Sequence, residues 1–142
     1  MYIRDLVPSY IYPQEDPVLG ISGGISPARV ETVLDENPEI QAVLITSPTY
    51  DGVVSDVKRI ANAAHSHGIP LIVDEAHGAH FKFSNYFPTS AAELGADLVI
   101  QSLHKTLPSL TQTAVLHRCS DMVNRNPVSY THLRAHETCA DL

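Results

Sequence analysis

Lys105 stands in the stretch VIQSLHKTLPSLTQTAVLH, residues 99–117, between two apolar runs, in a chain with only three lysines. A lysine taken alone reads as a solvated loop charge. Directly after a run that looks buried, and beside Ser102 and His104, it reads instead as a partly desolvated amine. Desolvation or a nearby cation lowers a lysine's pKa and makes it a nucleophile. The characteristic product is a Schiff base with an aldehyde. Asp74 ends a second apolar run, about one strand–helix unit upstream. Alone it is a turn or cap residue; opposite a Schiff-base amine it is the carboxylate that keeps a heterocyclic nitrogen protonated. Ser102 and His104 add the hydroxyl and imidazole donors that a phosphate needs. Amine, acid and phosphate donors together point to pyridoxal 5′-phosphate.

Other chemistries fit less well. DEAH at 74–77 also marks a magnesium- and nucleotide-binding strand end in one helicase class. That machinery needs an upstream GxxxxGK[ST] loop, and GISGGIS, the only glycine-rich stretch before it, has no lysine. His77 and His80 are three apart but lack further ligands at a zinc-site spacing, so no metal is expected. His77 is better read as a hydrogen-bonding partner of cofactor or substrate, and His80 as a loop contact. His65 and His67 fall at a helix C-terminus, where imidazole is favoured anyway.

The elements that must hold these residues follow from pattern. Ser26-Pro27 opens a helix, with serine as N-cap and proline in the first turn, and Asn37-Pro38 ends it. AVLIT, 42–46, predicts a buried strand. A helix through SDVKRIANAAHSH puts Val54, Val57, Ile60, Ala61 and Ala64 on one face and stops at Gly68. IPLIV is the next strand, SAAEL a short helix closed by Gly95, and DLVIQ and TAVLH two further strands. Apolar strands separated by helices imply an α/β fold, a parallel-type sheet covered by helices on both faces. Such sheets carry their sites at the strands' carboxyl ends. Three polar clusters fall there: Ser47-Pro48-Thr49-Tyr50, Asp74-Glu75-Ala76-His77 and Ser102-Leu103-His104-Lys105. Residues 1–25 read as an irregular segment without its partner elements.

The bulk properties bound the class. A net charge of −7 argues against a nucleic-acid surface. No apolar run approaches the ~20 residues of a membrane span, and the start lacks a secretory pattern. Cys119 and Cys139 form no metal or disulfide framework. The expectation is a cytoplasmic protein. VSYTHLRAHET, 128–138, is polar and histidine-bearing and resembles one reading frame of a transposon adapter used in preparing sequencing libraries. The biological sequence is therefore expected to stop near Asn126, leaving 127–142 as a non-native tail on a truncated chain, and His132, His136 and Cys139 receive no role.

From about Gly20 to Arg118 the segments SPTYDG, IPLIVDEAHGAHF and LVIQSLHKTLPSLTQTAVLH closely resemble the major domain of the ornithine/lysine/arginine decarboxylases. The signature S-x-H-K-x-L-x-x-x-T-Q is that family's cofactor-attachment site. Ile100 and Pro108 depart from the usual pattern and leave the reacting groups intact. The resemblance implies a partial large domain of the fold-type-I pyridoxal-phosphate enzymes over 1–126. It makes Lys105 the Schiff-base lysine, Asp74 the partner of the pyridine nitrogen, and Ser102 and His104 phosphate ligands. It places His77 near the ring's phenolic oxygen, Ala76 against the ring face, and Thr49 or Ser47 in contact with the cofactor. The implied reaction is decarboxylation of arginine, lysine or ornithine, with Asp74 maintaining the electron sink and a lysine or histidine returning the proton. The products are carbon dioxide and a polyamine precursor (agmatine, cadaverine or putrescine). The family's members are dimers with sites near the subunit interface. An aminotransferase or α-oxoamine synthase of the same fold, and a catalytically inactive fragment, stand as alternatives.

Overall fold

The computed structural model describes residues 6–123. The expected tail at 127–142 lies outside the described residues. The first helix, α1 (Pro27–Glu36), begins as its sequence dictates: the Ser26 hydroxyl accepts the Arg29 N–H at 3.4 Å, and Pro27 occupies the first turn. Val30, Val33 and Leu34 face inward at i, i+3 and i+4. The helix ends at Asn37, whose side-chain amide donates to the Val33 carbonyl at 2.7 Å.

Strand β1 (Val43–Thr46) leads to α2 (Val57–Ser66), capped by Asp56, which accepts from Arg59 N–H at 3.2 Å. Val57, Ile60, Ala61, Ala63 and Ala64 are its buried face. Val54 is not part of that face; it precedes the helix and is exposed, because the cap falls at Asp56. Gly68 follows the cap with φ +71°, the left-handed conformation that suits glycine at C′. Both terminal histidines have partners: His65 Nε2 lies 2.8 Å from Asp97, and His67 Nε2 lies 3.0 Å from Asp35. The Ala63 carbonyl first, then Asp35, raise the pKa of His67 above its ordinary value.

Strands β2 (Leu71–Asp74) and β3 (Leu98–Ser102) complete a parallel trio, and α3 (Leu103–Thr106) and β4 (Ala114–Arg118) follow. Sheet order is β1-β2-β3-β4, with Val43 opposite Leu71, Ile72 opposite Leu98, and Ile100 opposite Leu116. The sheet is therefore α/β and parallel in its first three strands, as expected. Strand β4 is antiparallel to β3. The connection over 103–113 holds only a four-residue helix and a turn, too short for the crossover that a parallel strand needs.

Two further expectations fail for physical reasons. SAAEL is a turn rather than a helix. Glu93 N–H bonds Ser90 O and Leu94 N–H bonds Ala91 O, both i→i+3, and Gly95 closes the segment at φ +97°. The sheet is also not covered on both faces within the described residues. Helices α1 and α2 pack Val30, Leu34, Ile60 and Ala64 on the face bearing Val43, Ile45, Leu71, Val73 and Val99. Each large side chain fully buried there contributes about 1.5–3 kcal/mol. The opposite face, with Ile72, Leu98 and Ile100, is only partly buried, and Leu44 is 67% exposed. Residues 6–25 are irregular apart from one bridge, Glu15 to Ser22. No helix among the described residues is long and apolar enough to cross a membrane.

Candidate active site

The carboxyl ends of the three parallel strands lie side by side, and the pleat sorts their polar residues. Successive strand residues alternate between faces. Asp74, last in β2 and in register with Thr46 and Ile100, thus falls on the open face with Ile72. Its Oδ1 accepts the Ala76 N–H at 3.0 Å; among the described residues nothing donates to Oδ2. Ser102 occupies the cap position of α3, yet its hydroxyl makes no cap hydrogen bond. His104 Nδ1 lies 3.1 Å from the Thr113 carbonyl, which leaves Nε2 outward.

Lys105 follows in α3. It is exposed, whereas the sequence pattern placed it between buried segments. The difference has two sources: α3 buries none of its residues, and β4 is a half-exposed edge strand. Among the described residues Lys105 forms no ion pair, while Lys82 is held by Glu93 at 3.2 Å.

The turn after β2 carries a second signal. His77 Nδ1 is buried without a hydrogen-bond partner, although buried polar atoms are almost always paired. Its ring meets Tyr50 edge-on at 5.7 Å between centroids. Ala76 beside it is 7% exposed. His80 Nδ1 is likewise orphaned, its ring wedged against Phe81 and Phe87 at 5.0 and 4.6 Å.

Thr49 and Ser47 are tied into the backbone. Thr49 Oγ1 accepts the Val53 N–H at 3.1 Å, and buried Ser47 Oγ accepts the Ser55 N–H at 3.0 Å. Each keeps its hydroxyl hydrogen, but Ser47 is buried in the turn while Thr49 is half-buried and can offer its own to another partner. The set suits pyridoxal phosphate on this geometry: an unpartnered carboxylate oxygen and an uncommitted hydroxyl stand on the open face of one strand edge, and an orphaned imidazole nitrogen lies buried in the turn that follows β2. No cluster of three or more histidine, cysteine or acidic residues suited to a metal occurs among the described residues.

Sequence reasoning overlooked Glu75. It is 1% exposed, and its carboxylate accepts Ala91 N–H at 2.7 Å, Ser90 Oγ–H at 2.8 Å and Gln101 Nε2–H at 2.6 Å. The pleat itself was the available signal. One residue past Asp74, an acid must point to the covered side, where it survives only if hydrogen-bonded.

The sequence profile of the Orn/Lys/Arg decarboxylase major domain matches residues 1–141. The chain belongs to this family. Within the family, it is 41% identical over 121 residues to an arginine decarboxylase of Halalkalibacterium halodurans, and 42% identical over 122 residues to an arginine decarboxylase of Bacillus subtilis. These alignments take in 85% and 86% of the chain and 25% of each relative, so the family member described here spans about a quarter of their length. Among solved structures it resembles the SepCysS–SepCysE N-terminal domain complex. The TM-score is 0.56 at 21% identity, covering 66% of this chain and 25% of that one, a likeness of fold alone.

Proposed function

We propose that this chain is part of a pyridoxal-phosphate-dependent decarboxylase of a basic amino acid, with arginine as substrate and agmatine and carbon dioxide as products. The observation that carries the reading is the pair of unengaged groups on the open face, Asp74 Oδ2 and the Ser102 hydroxyl, at the strand ends next to Lys105, with the orphaned His77 Nδ1 buried in the turn after β2. Family membership supports decarboxylation, and the names of the relatives support arginine.

When bound, pyridoxal phosphate supplies an electron sink conjugated to the substrate's α-carbon, which lets the α-carboxylate leave as carbon dioxide. Lys105 would be the residue that holds the cofactor through its amine. Asp74 Oδ2 accepts the pyridine N–H and keeps that proton in place. Ser102 donates its hydroxyl to phosphate. In its protonated form, His104 donates from Nδ1 to Thr113 and from Nε2 to the same anion. His77 Nδ1 serves the phenolic oxygen. Ala76 keeps the ring face clear because it has only a methyl group, and Thr49 donates its remaining hydroxyl hydrogen. In keeping with the family resemblance, the whole protein is read as a cytoplasmic homodimer.

Borohydride reduction of the protein loaded with pyridoxal phosphate, followed by peptide mass spectrometry, tests the attachment. The expected tag is on Lys105, with Lys58 and Lys82 as internal controls. A loaded protein tagged only at those two lysines overturns the assignment. Carbon dioxide release from arginine, against lysine and ornithine, tests the substrate.

A further inference from the structure

We infer that Glu75 is a positioning residue for the cofactor site, one that rests on the reading above and acts through Asp74 and Ser102 rather than on the cofactor. Its three hydrogen bonds tie together separate pieces of chain: the turn after β2, the Ser90–Ala91 turn and the end of β3. The network reaches β4 as well. Because Gln101 donates Nε2–H to Glu75, its Oε1 is left to accept, so His117, 3.0 Å away, donates from Nε2. Protons thus point in one direction along His117, Gln101 and Glu75, toward a carboxylate that only accepts.

Parity makes this network consequential. Glu75 and Gln101 face the covered side, while their immediate neighbours Asp74 and Ser102 face the open side. Below the sheet edge the two strand ends are fixed to each other; above it the same two ends present the acid and the hydroxyl. A shift in the Glu75–Gln101 contact must therefore alter the spacing of Asp74 and Ser102. The backbone holds the acid from the other side. A Cβ on Gly78 would lie 2.6 Å from Glu75 Cγ and 3.0 Å from both Pro48 Cδ and Phe81 Cε2, so the turn carrying His77 runs directly over the Glu75 stem. One buried side chain thereby sets the position of Asp74, His77 and Ser102.

The test compares the loaded parent protein with Glu75→Gln, with the exchange Glu75→Gln/Gln101→Glu, and with Ser90→Ala. Readouts are cofactor dissociation and the pH midpoint of the bound cofactor's visible absorption. Glu75→Gln turns an amide donor toward donors; its expected effect is about tenfold weaker cofactor binding and a displaced pH midpoint. The exchange keeps a donor–acceptor pair between positions 75 and 101 and is expected to restore both to near parental values. Ser90→Ala leaves the carboxylate with two donors and is expected to weaken binding about threefold; it becomes the deciding variant should Glu75→Gln not fold. Parental affinity and midpoint in Glu75→Gln, or in Ser90→Ala where that variant decides, overturn the inference. So does a failure of the exchange to restore them. A parent not tagged at Lys105 by borohydride defeats the cofactor reading instead, so the two failures are distinguishable.

Discussion

The two edges of the sheet treat their acids in opposite ways. At the amino edge, Asp97 precedes β3 with 0% exposure and every face of its carboxylate engaged: Leu71 N–H at 2.7 Å, His65 Nε2 at 2.8 Å, and the Ser120 hydroxyl. Burial alone would raise its pKa, but the hydrogen bonds from Ser120, His65 and Leu71 together hold it below the ordinary carboxylate value. At the carboxyl edge, Asp74 has one oxygen bonded to its own turn and the other unengaged. The first acid joins strand starts; the second has an oxygen to which nothing among the described residues donates. An unsatisfied group on a frame of satisfied ones is a stronger pointer to a site than an acid's mere presence.

The contrast can be broken by exchanging which edge is damaged. Under the proposed function, Asp74→Ala is expected to lower turnover by about 10³-fold, the scale seen when one preorganised electrostatic partner of a reacting group is removed. Its urea-unfolding free energy should stay within about 0.5 kcal/mol of the parent. Asp97→Ala should do the reverse, costing about 3 kcal/mol in unfolding because several buried donors lose their acceptor, with the Lys105 tag retained in the folded fraction. Equal losses of turnover per folded molecule in the two variants would erase the distinction.

Acid titration sharpens it. Since folding lowers the Asp97 pKa below 3.8, its ionised form favours the native state. That contribution is complete above about pH 5 and is lost as pH falls through the depressed native value. The stability gap between the parent and Asp97→Asn should be flat at neutral pH and narrow below 3.8; a gap that widens in acid contradicts the sign. The smallest expected effect lies away from both edges. Ser26→Ala removes a cap with a long 3.4 Å bond and should cost about 0.5 kcal/mol by urea unfolding, with cofactor binding unchanged.

Much of this was legible in the chain. The cap at Ser26 and the stop at Gly68 depend on nearest neighbours, so α1 and α2 could be read locally. The apolar runs of β1 to β3 placed Asp74 and Ser102 at strand ends. What escaped depended on partners distant in sequence. The direction of β4 follows from the short span between it and β3. SAAEL closes after a single i→i+3 turn at Gly95, and Glu75, fifteen residues before Ser90, holds the Ser90 hydroxyl and the Ala91 N–H of that turn. The exposure of Lys105 reflects how little of α3 and β4 is covered, which no window around the lysine contains.

Strand β4 runs against its neighbours from Ala114, beside Ser102, to Arg118, beside Leu98. At ~3.4 Å per residue this return carries the backbone about 14 Å from the Ser102 corner before Cys119. Cys119 is an exposed thiol at the far rim. A fluorophore or tether attached there would report on the molecule from outside the reaction zone, without crowding Lys105.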